Sequence, residues 1–282
     1  MVPAFSPRTL LANGSRMRRL IPIAIGAAAA GAGAMALRER RDRALAQRLS
    51  AATLETLLDA IEANDAVTGR HVRRVAAFSL ILGEAADLDV RTLRSIERIA
   101  LFHDIGKLHE ALTDIFHEAT KLSPEERRAV MTHPQRGADV LAPLSGFYPD
   151  LAKGVAAHHE RWDGTGYPRG IKGTRIPLTA RVVAIADTFD AITHQRRYSA
   201  GRSFSTAMGA IAAGRGTQFD PELVDLFLSP PVAEEIEQAM RKANGPQTRR
   251  MNRCIHEVKR APDITFRWRT RTGASHSRDR AN

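Results

Sequence analysis

The chain has a single cysteine, Cys254, among its 282 residues. An intrachain disulfide is therefore impossible, and a zinc site built on several thiolates is excluded. Aromatic residues make up only 5% of the chain, and the alternation of β-branched residues that marks strands is scarce. With 43% apolar residues and long Ala, Leu and Ile runs, the expected core is aliphatic and the expected fold all-α. Acidic residues are in deficit, with a formal charge of +11, but the deficit lies at the ends. Residues 1–50 carry nine arginines against Glu39 and Asp42, and residues 233–282 carry twelve Lys or Arg against six acids, which leaves 51–232 at −2. Basic ends attract anionic lipid or nucleic acid without recognising either. No base-reading motif is present, so no specific nucleic-acid partner is expected. No internal repeat is visible.

One uncharged run stands out. Leu20 to Leu37 holds eighteen residues without a charge, between Arg16, Arg18 and Arg19 on one side and Arg38, Arg40, Arg41 and Arg43 on the other. As a helix it spans about 27 Å, against about 30 Å for a bilayer's hydrocarbon core. It is rich in Ala and Gly, with Pro22 near its start. A single membrane anchor is the favoured reading, ahead of a cleaved export signal and a soluble Ala-rich segment. Arginines on both sides leave the charge rule little to say about orientation. The expected organisation is a basic tail (1–19), an anchor (20–37), a charged connector (38–50), a helical domain (51–232) and a basic, largely disordered tail (233–282). No sensory or receiver domain is expected within residues 1–50.

The helical domain shows clear local signals. Leu54, Leu57, Leu58 and Ile61 repeat at i, i+3, i+4, i+7, one face of an amphipathic helix. The next helix opens at His71, and a third runs from about Arg91 to Gly106. Ser123-Pro124-Glu125-Glu126 is a helix start, with Ser as N-cap, Pro at N1 and Glu closing a capping box. That helix carries His133. Leu151 to Glu160 forms another, a Gly/Pro-rich loop covers 161–177, and Leu178 to His194 is helical. Phe204 to Ala213 and Pro221 to Leu228 complete the domain.

Five histidines and two aspartates are spread over these helices: His71, His103-Asp104, His133, His158-His159 and Asp187. Imidazole and carboxylate suit iron, manganese or zinc. Seven such ligands exceed one tetrahedral site and suffice for two metals that share a bridging carboxylate, an arrangement used to cut phosphate esters. His103 continues the apolar stripe of Ile96, Ile99 and Ala100, so it should point inward, with Lys107 one turn further on the same side. Asp104 has two oxygens with which to bridge. Asp187 lies in the run Val182-Val183-Ala184-Ile185-Ala186, where an unpaired carboxylate is costly to bury. Asp190 is placed to orient a histidine ligand, or else to face solvent. The two glycines of Asp163-Gly164-Thr165-Gly166-Tyr167-Pro168 permit close backbone approach, so the loop carrying Tyr167 can lie over a nucleotide or a partner protein. No role is evident for His109, His117, His194, His256 or His276.

These motifs resemble the HD superfamily of metal-dependent phosphohydrolases, and within it the HD-GYP branch. The resemblance covers roughly residues 55–230. It rests on His103-Asp104-Ile105-Gly106-Lys107 and His158-His159-Glu160-Arg161-Trp162-Asp163-Gly164-Thr165-Gly166-Tyr167-Pro168, with lesser matches at Ala180-Arg181-Val182, Ala186-Asp187-Thr188-Phe189-Asp190-Ala191-Ile192-Thr193 and Phe219-Asp220-Pro221. It implies a helical bundle around a centre of two divalent metals, iron or manganese, that hydrolyses cyclic di-GMP to pGpG and onward to GMP. By resemblance His71, His103, Asp104 and Asp187 hold one metal. Asp104 bridges to a second, held by His133, His158 and His159. Asp104 and Lys107 would be catalytic, with Lys107, Arg196 and Tyr167 toward the substrate. The implied setting is a bacterial inner membrane, with the catalytic domain in the cytoplasm. A homodimer, and contact with a diguanylate cyclase through the Gly-Tyr-Pro loop, are among the implied partners.

The chain also departs from the pattern. Some members carry a glutamate four residues before the first histidine, for a third metal; here Val67 stands there, so two are expected. The usual Gly-Ile-Pro after the His-Asp motif is replaced by Leu108-His109-Glu110-Ala111. Thr-Ser-Asp-Arg-Pro-Tyr-Arg is here Thr193-His194-Gln195-Arg196-Arg197-Tyr198-Ser199, which alters the nucleotide-facing surface more than the metal set. A hydrolase for another nucleotide and a non-catalytic membrane-tethered adaptor are the rival readings.

Overall fold

In the computed structural model the backbone is described for residues 12–108, 123–194 and 201–244, and side chains from Met35 onward except at Asn64, Ala243 and Asn244. The named elements are helices: α1 (Ala12–Asn64), α2 (Ala66–Ala85), α3 (Val90–Phe102), α4 (Pro124–Val130), α5 (His133–Leu141), α6 (Leu151–Ala157), α7 (Leu178–Thr193), α8 (Phe204–Ala213), α9 (Pro221–Phe227) and α10 (Pro230–Asn244). Short 3₁₀ turns lie at 105–108, 142–144 and 173–175. Among the described residues β-type pairing is limited to an isolated bridge between Arg215 and Phe219. The all-α expectation holds.

Helix starts follow their caps. Asp65 accepts from the Val67 N–H at 2.8 Å and Asp89 from the Thr92 N–H at 2.8 Å. Ser123 and Glu126 form the reciprocal capping box with Pro124 at the first position. Each such cap satisfies an N–H that the helix leaves unpaired.

Helix α7 is the hub and packs against α2, α3, α6 and α8. Val182, Val183, Ile185, Ala186 and Phe189 are all fully buried, because α7 is covered on most of its circumference. Phe189 meets Phe78, Phe227 and Phe204 edge-on, with ring centroids 5.2, 5.5 and 5.8 Å apart, a preferred geometry for aromatic pairs. Helices α3 and α6 approach closely: a Cβ on Gly154 would lie 2.2 Å from Ile99 Cδ1.

Several boundaries differ from expectation: α2 starts at Ala66 rather than His71, the capped helix α4 ends at Val130 so that His133 begins α5 instead, and α6 ends at Ala157 rather than Glu160. Helix α3 ends at Phe102 rather than Gly106, and the Lys107 N–H reaches the Asp104 carbonyl at 2.9 Å in a tighter 3₁₀ turn. The expected domain end at 232 falls inside α10, where Val232 and Ile236 are buried. The chain divides into two compact units, residues 1–236 and 237–282. Of the second, residues 237–244 are described, as the end of α10 with an ion pair between Glu237 and Arg241.

From Ala12 onward, helix α1 runs unbroken through the expected anchor and connector. Within the expected membrane span 20–37, side chains are described only from Met35, so that expectation lies largely outside the described side chains. Among the described residues, no helix is long and apolar enough to cross a membrane.

Candidate metal centre

Helices α2, α3, α5, α6 and α7 each bring one or two of the expected ligands to one buried cluster. His71 comes from the first turns of α2, and His103-Asp104 from the turn that closes α3. His133 begins α5, His158-His159 follows α6, and Asp187 lies midway along α7. His103 is fully buried and Asp104, His133 and His158 are nearly so. Gly106 lets the turn after α3 sit against α5. A Cβ there would lie 2.1 Å from the His133 carbonyl oxygen and 2.7 Å from the Gly137 nitrogen.

The rings are aimed by their own backbone. His103 Nδ1 lies 2.8 Å from the Ala100 carbonyl, His133 Nδ1 2.7 Å from that of Val130, and His158 Nδ1 2.6 Å from that of Val155. A ring nitrogen facing a carbonyl oxygen must carry the hydrogen and donate it, which leaves each Nε2 as a bare lone pair. His71 is aimed differently: its Nδ1 lies 2.7 Å from Asp190 Oδ2.

Asp104 faces both ways. Its Oδ1 lies 3.3 Å from His133 Nε2 and 4.0 Å from His158 Nε2, and its Oδ2 lies 3.5 Å from His103 Nε2 and 3.8 Å from His71 Nε2. Asp187 Oδ1 joins the second set, 3.3 Å from His71 Nε2 and 3.8 Å from His103 Nε2. Donors that each sit about 2.1 Å from one ion lie at most about 4.2 Å apart, so these separations suit shared coordination. Two groups with mutually close donor atoms result, Asp104-His133-His158-His159 and His71-His103-Asp104. Asp104 belongs to both.

The donor set fits divalent metal for a reason internal to the molecule. Among the described residues His71 Nε2, His103 Nε2 and Asp104 Oδ1 are buried with no hydrogen-bond partner, an expensive state for polar atoms. His133 Nε2 and His158 Nε2 lie 3.2 Å apart. With both Nδ1 atoms protonated, two lone pairs face one another, which is repulsive unless a cation lies between them.

Protonation points the same way. Burial pushes His103 down, only partly offset by Asp104 and Asp187. Burial, reinforced by the neighbouring histidines, pushes His158 far down, and burial takes His159 to about 3. Burial pushes Asp104 and Asp187 upward, but Lys107 and His103 beside the first, and His71 and His103 beside the second, hold both well below the usual carboxylate range. His71 is the exception. Burial opposes its charge, yet the carboxylates of Asp187 and Asp190 raise it to about 9.

The remaining expected residues are placed as follows. Lys107 Nζ donates to Asp104 Oδ2 at 2.6 Å and is a quarter exposed. The Tyr167 ring stacks on His159 with centroids 4.9 Å apart and planes at 29°. Asp190 is buried rather than solvent-facing. Arg196 lies outside the described residues.

Three residues at the site were not singled out from the sequence. Arg74 grips Asp190 through Nε at 2.6 Å and Nη2 at 2.9 Å. His194 Nδ1 lies 2.9 Å from Asp190 Oδ1. Glu160, 3% exposed, accepts from the Arg169 N–H at 2.8 Å and the Ile171 N–H at 3.1 Å, tying down the loop that carries Tyr167. Arg74 lies one turn from His71, and His194 one turn from Asp190. That spacing was the available signal.

The sequence profile of the family described as HD domain matches residues 55–223. The chain belongs to the HD domain family, as the His103 and His158 motifs implied. It is similar to the cyclic di-GMP phosphodiesterase response regulator RpfG of Xanthomonas campestris pv. campestris, at 35% identity over 202 residues, covering 67% of this chain and 53% of that protein. It is similar to 3'3'-cGAMP-specific phosphodiesterase 2 of Vibrio cholerae, at 36% identity over 174 residues, covering 61% and 33%. A cyclic di-GMP phosphodiesterase of Thermotoga maritima matches at 34% over 197 residues, covering 69% and 52%. The chain thus spans from a third to about half of the length of these relatives. Among solved structures, a cyclic GMP-AMP-specific phosphodiesterase of V. cholerae superposes with a TM-score of 0.51 over 74% of this chain and 52% of that one, at 23% identity. At that identity the likeness speaks for the fold alone.

Proposed function

We propose that this protein is a metal-dependent phosphodiesterase that opens a cyclic dinucleotide, with cyclic di-GMP as the leading substrate, pGpG as first product and GMP as the product of a second cut. The observation that carries this reading is the convergence of bare, buried Nε2 and carboxylate atoms on two adjacent positions that share Asp104. The names of the relatives support the substrate class, and they include both cyclic di-GMP and 3'3'-cGAMP phosphodiesterases.

His71, His103, Asp187 and Asp104 would hold one divalent ion, and Asp104, His133, His158 and His159 the other. Iron or manganese is favoured by the family resemblance, and donors of imidazole and carboxylate are compatible with both. Such ions supply a Lewis acid for a phosphoryl oxygen and acidify water beside it. The residues provide the rest. The backbone carbonyls of Ala100, Val130 and Val155 keep three imidazoles aimed inward, so their geometry need not reorganise during reaction. Lys107, a quarter exposed beside Asp104, is placed to neutralise a phosphate oxygen. Tyr167, stacked on His159 and held through Glu160, offers a ring edge for a base at the mouth of the site. Arg196 is assigned to the second phosphate.

We also place residues 20–37 in the bacterial inner membrane, with the catalytic domain in the cytoplasm. The eighteen uncharged residues between arginine clusters support this reading.

The test uses the full chain, purified without oxygen and loaded with iron or manganese. Cyclic di-GMP and 3'3'-cGAMP are incubated separately and the products resolved. Linear products that vanish in Asp104→Ala establish the phosphodiesterase, and the ratio of rates names its substrate. Two ions bound with neither dinucleotide cut would redirect the search to other nucleotides. Neither metal nor product would leave the adaptor reading.

A further inference from the structure

Asp190 is a carboxylate with every lone-pair direction used. Its Oδ2 faces the His71 Nδ1–H at 2.7 Å and Arg74 Nη2 at 2.9 Å, and its Oδ1 faces Arg74 Nε at 2.6 Å and His194 Nδ1 at 2.9 Å. Three side chains from both ends of the α2–α7 contact therefore meet on one residue that is 1% exposed. Two of them, Arg74 and His194, touch none of the ligands in the interactions described above.

The tautomer of His194 follows from its neighbours. Thr193 Oγ1 donates to the Phe189 carbonyl at 2.9 Å, so toward His194 Nδ1, 3.0 Å away, it can only accept. Nδ1 thus faces a carboxylate and a hydroxyl oxygen and must carry the hydrogen. His194 itself is buried, and among the described residues its Nε2 has no partner. A buried imidazole with one unsatisfied nitrogen is costly to keep. What it gains is the bond to Asp190. This is also a position where the chain departs from the pattern it otherwise resembles.

We infer that His194 is a positioning residue for the metal ligand His71, acting through Asp190. The inference rests on the metal-site reading above. The His194 N–H occupies Asp190 Oδ1 and so leaves Oδ2 for His71. Without it, one lone pair of a buried carboxylate loses its donor. The carboxylate then shifts toward another donor, the hold on the His71 Nδ1–H slackens, and Nε2 drifts from its aim. The other metal position does not depend on this chain of contacts, because His133 and His158 are aimed by backbone carbonyls.

The experiment titrates Mn²⁺ into the metal-free full chain and into His194→Leu and His194→Asn, following binding by calorimetry and by the spin-coupled manganese signal. Leu keeps bulk and removes the donor, whereas Asn keeps an N–H near the position of Nδ1. Loss of a partner behind a metal ligand typically weakens affinity about 10–100-fold. The expected result is that His194→Leu weakens one of two Mn²⁺ sites by at least about tenfold, leaves the other unchanged and loses the coupled signal, while His194→Asn binds as the parent does. Two parental sites in His194→Leu would overturn the inference. So would a weakened site in His194→Asn, which also decides the matter should the Leu variant not fold. A parent chain that binds no Mn²⁺ would instead overturn the metal-site reading itself.

Discussion

The backbone of Gly106 touches the backbone of His133 so closely that a methyl group on residue 106 would lie 2.1 Å from the His133 carbonyl oxygen. Two ligand-bearing segments are thereby locked at a fixed separation, since the first carries His103 and Asp104 and the second begins with His133.

Gly106→Ala should therefore act on metal binding as well as on folding. The obstacle is main chain, which no rotamer change can relieve. Overpacking of this kind costs about 1–3 kcal/mol, read by urea unfolding of the metal-free chain. Mn²⁺ affinity at the His133 side should fall by at least about tenfold, as for other disturbances of ligand aim. Unchanged unfolding and unchanged affinity would show that α5 yields freely.

Asp104→Asn keeps the shape of the side chain and removes its charge. Because Asp104 belongs to both donor groups, both ions should be lost together rather than one. With charge stabilisation of several kcal/mol removed, and about 1.4 kcal/mol per factor of ten, turnover should drop by at least about 100-fold. Metal analysis and product assay check this side by side. One ion retained at full affinity would contradict the bridging role.

The metal-free chain should be most stable near neutral pH. His159 is held at about 3 by burial, against an ordinary 6.5, and His103 and His158 are also held down. Below about 6.5 the unfolded chain takes up protons that these buried rings refuse, so stability falls as pH drops toward 3. His71 behaves oppositely: raised to about 9, it contributes stability that is complete below 6.5 and lost as pH rises through 9. Unfolding free energy measured from pH 5 to 9.5 should form a dome. A flat profile on the acid side would mean that these histidines are already charged in the folded chain.

Glu160→Gln replaces a two-oxygen acceptor with one oxygen and an NH2 group, so one of the Arg169 and Ile171 N–H groups is left facing a donor. A fully buried N–H left unpaired costs about 1–3 kcal/mol, and these part-buried groups lie toward the lower end. The loop carrying Tyr167 should loosen, raising KM for the cyclic dinucleotide by about tenfold, equivalent to about 1.4 kcal/mol, with both ions still bound. An unchanged KM would place the loop away from the substrate.

Much of this was legible along the chain. The stripe of Ile96, Ile99 and Ala100 pointed His103 inward, and it is fully buried. Ser123 to Glu126 announced a helix start that is present as a complete capping box. The apolar run before Asp187 indicated a carboxylate in need of partners, and it is half-buried beside His71 and His103. What stayed hidden depends on tertiary contact. The break of α3 at Phe102 comes where Gly106 must meet α5, which no local propensity encodes. Glu160 looks like an ordinary surface charge, and Arg74 is marked only by its spacing from His71, because the partner that turns it inward lies 116 residues away. For His194 the spacing of one turn from Asp190 was the one mark.

The two ways of aiming an imidazole differ in how they withstand mutation. The carbonyls behind His103, His133 and His158 belong to the main chain and are present whatever side chain occupies positions 100, 130 and 155. Their aim is thus inherited with the helix and is beyond the reach of most single replacements. His71 alone among these rings takes its aim from a side chain, and through it from Arg74 and His194. One side of the cluster is consequently fixed by architecture and the other adjustable by substitution. A lineage could retune the ion that His71 would hold, residue by residue, while the aim of His133 and His158 stays as it was.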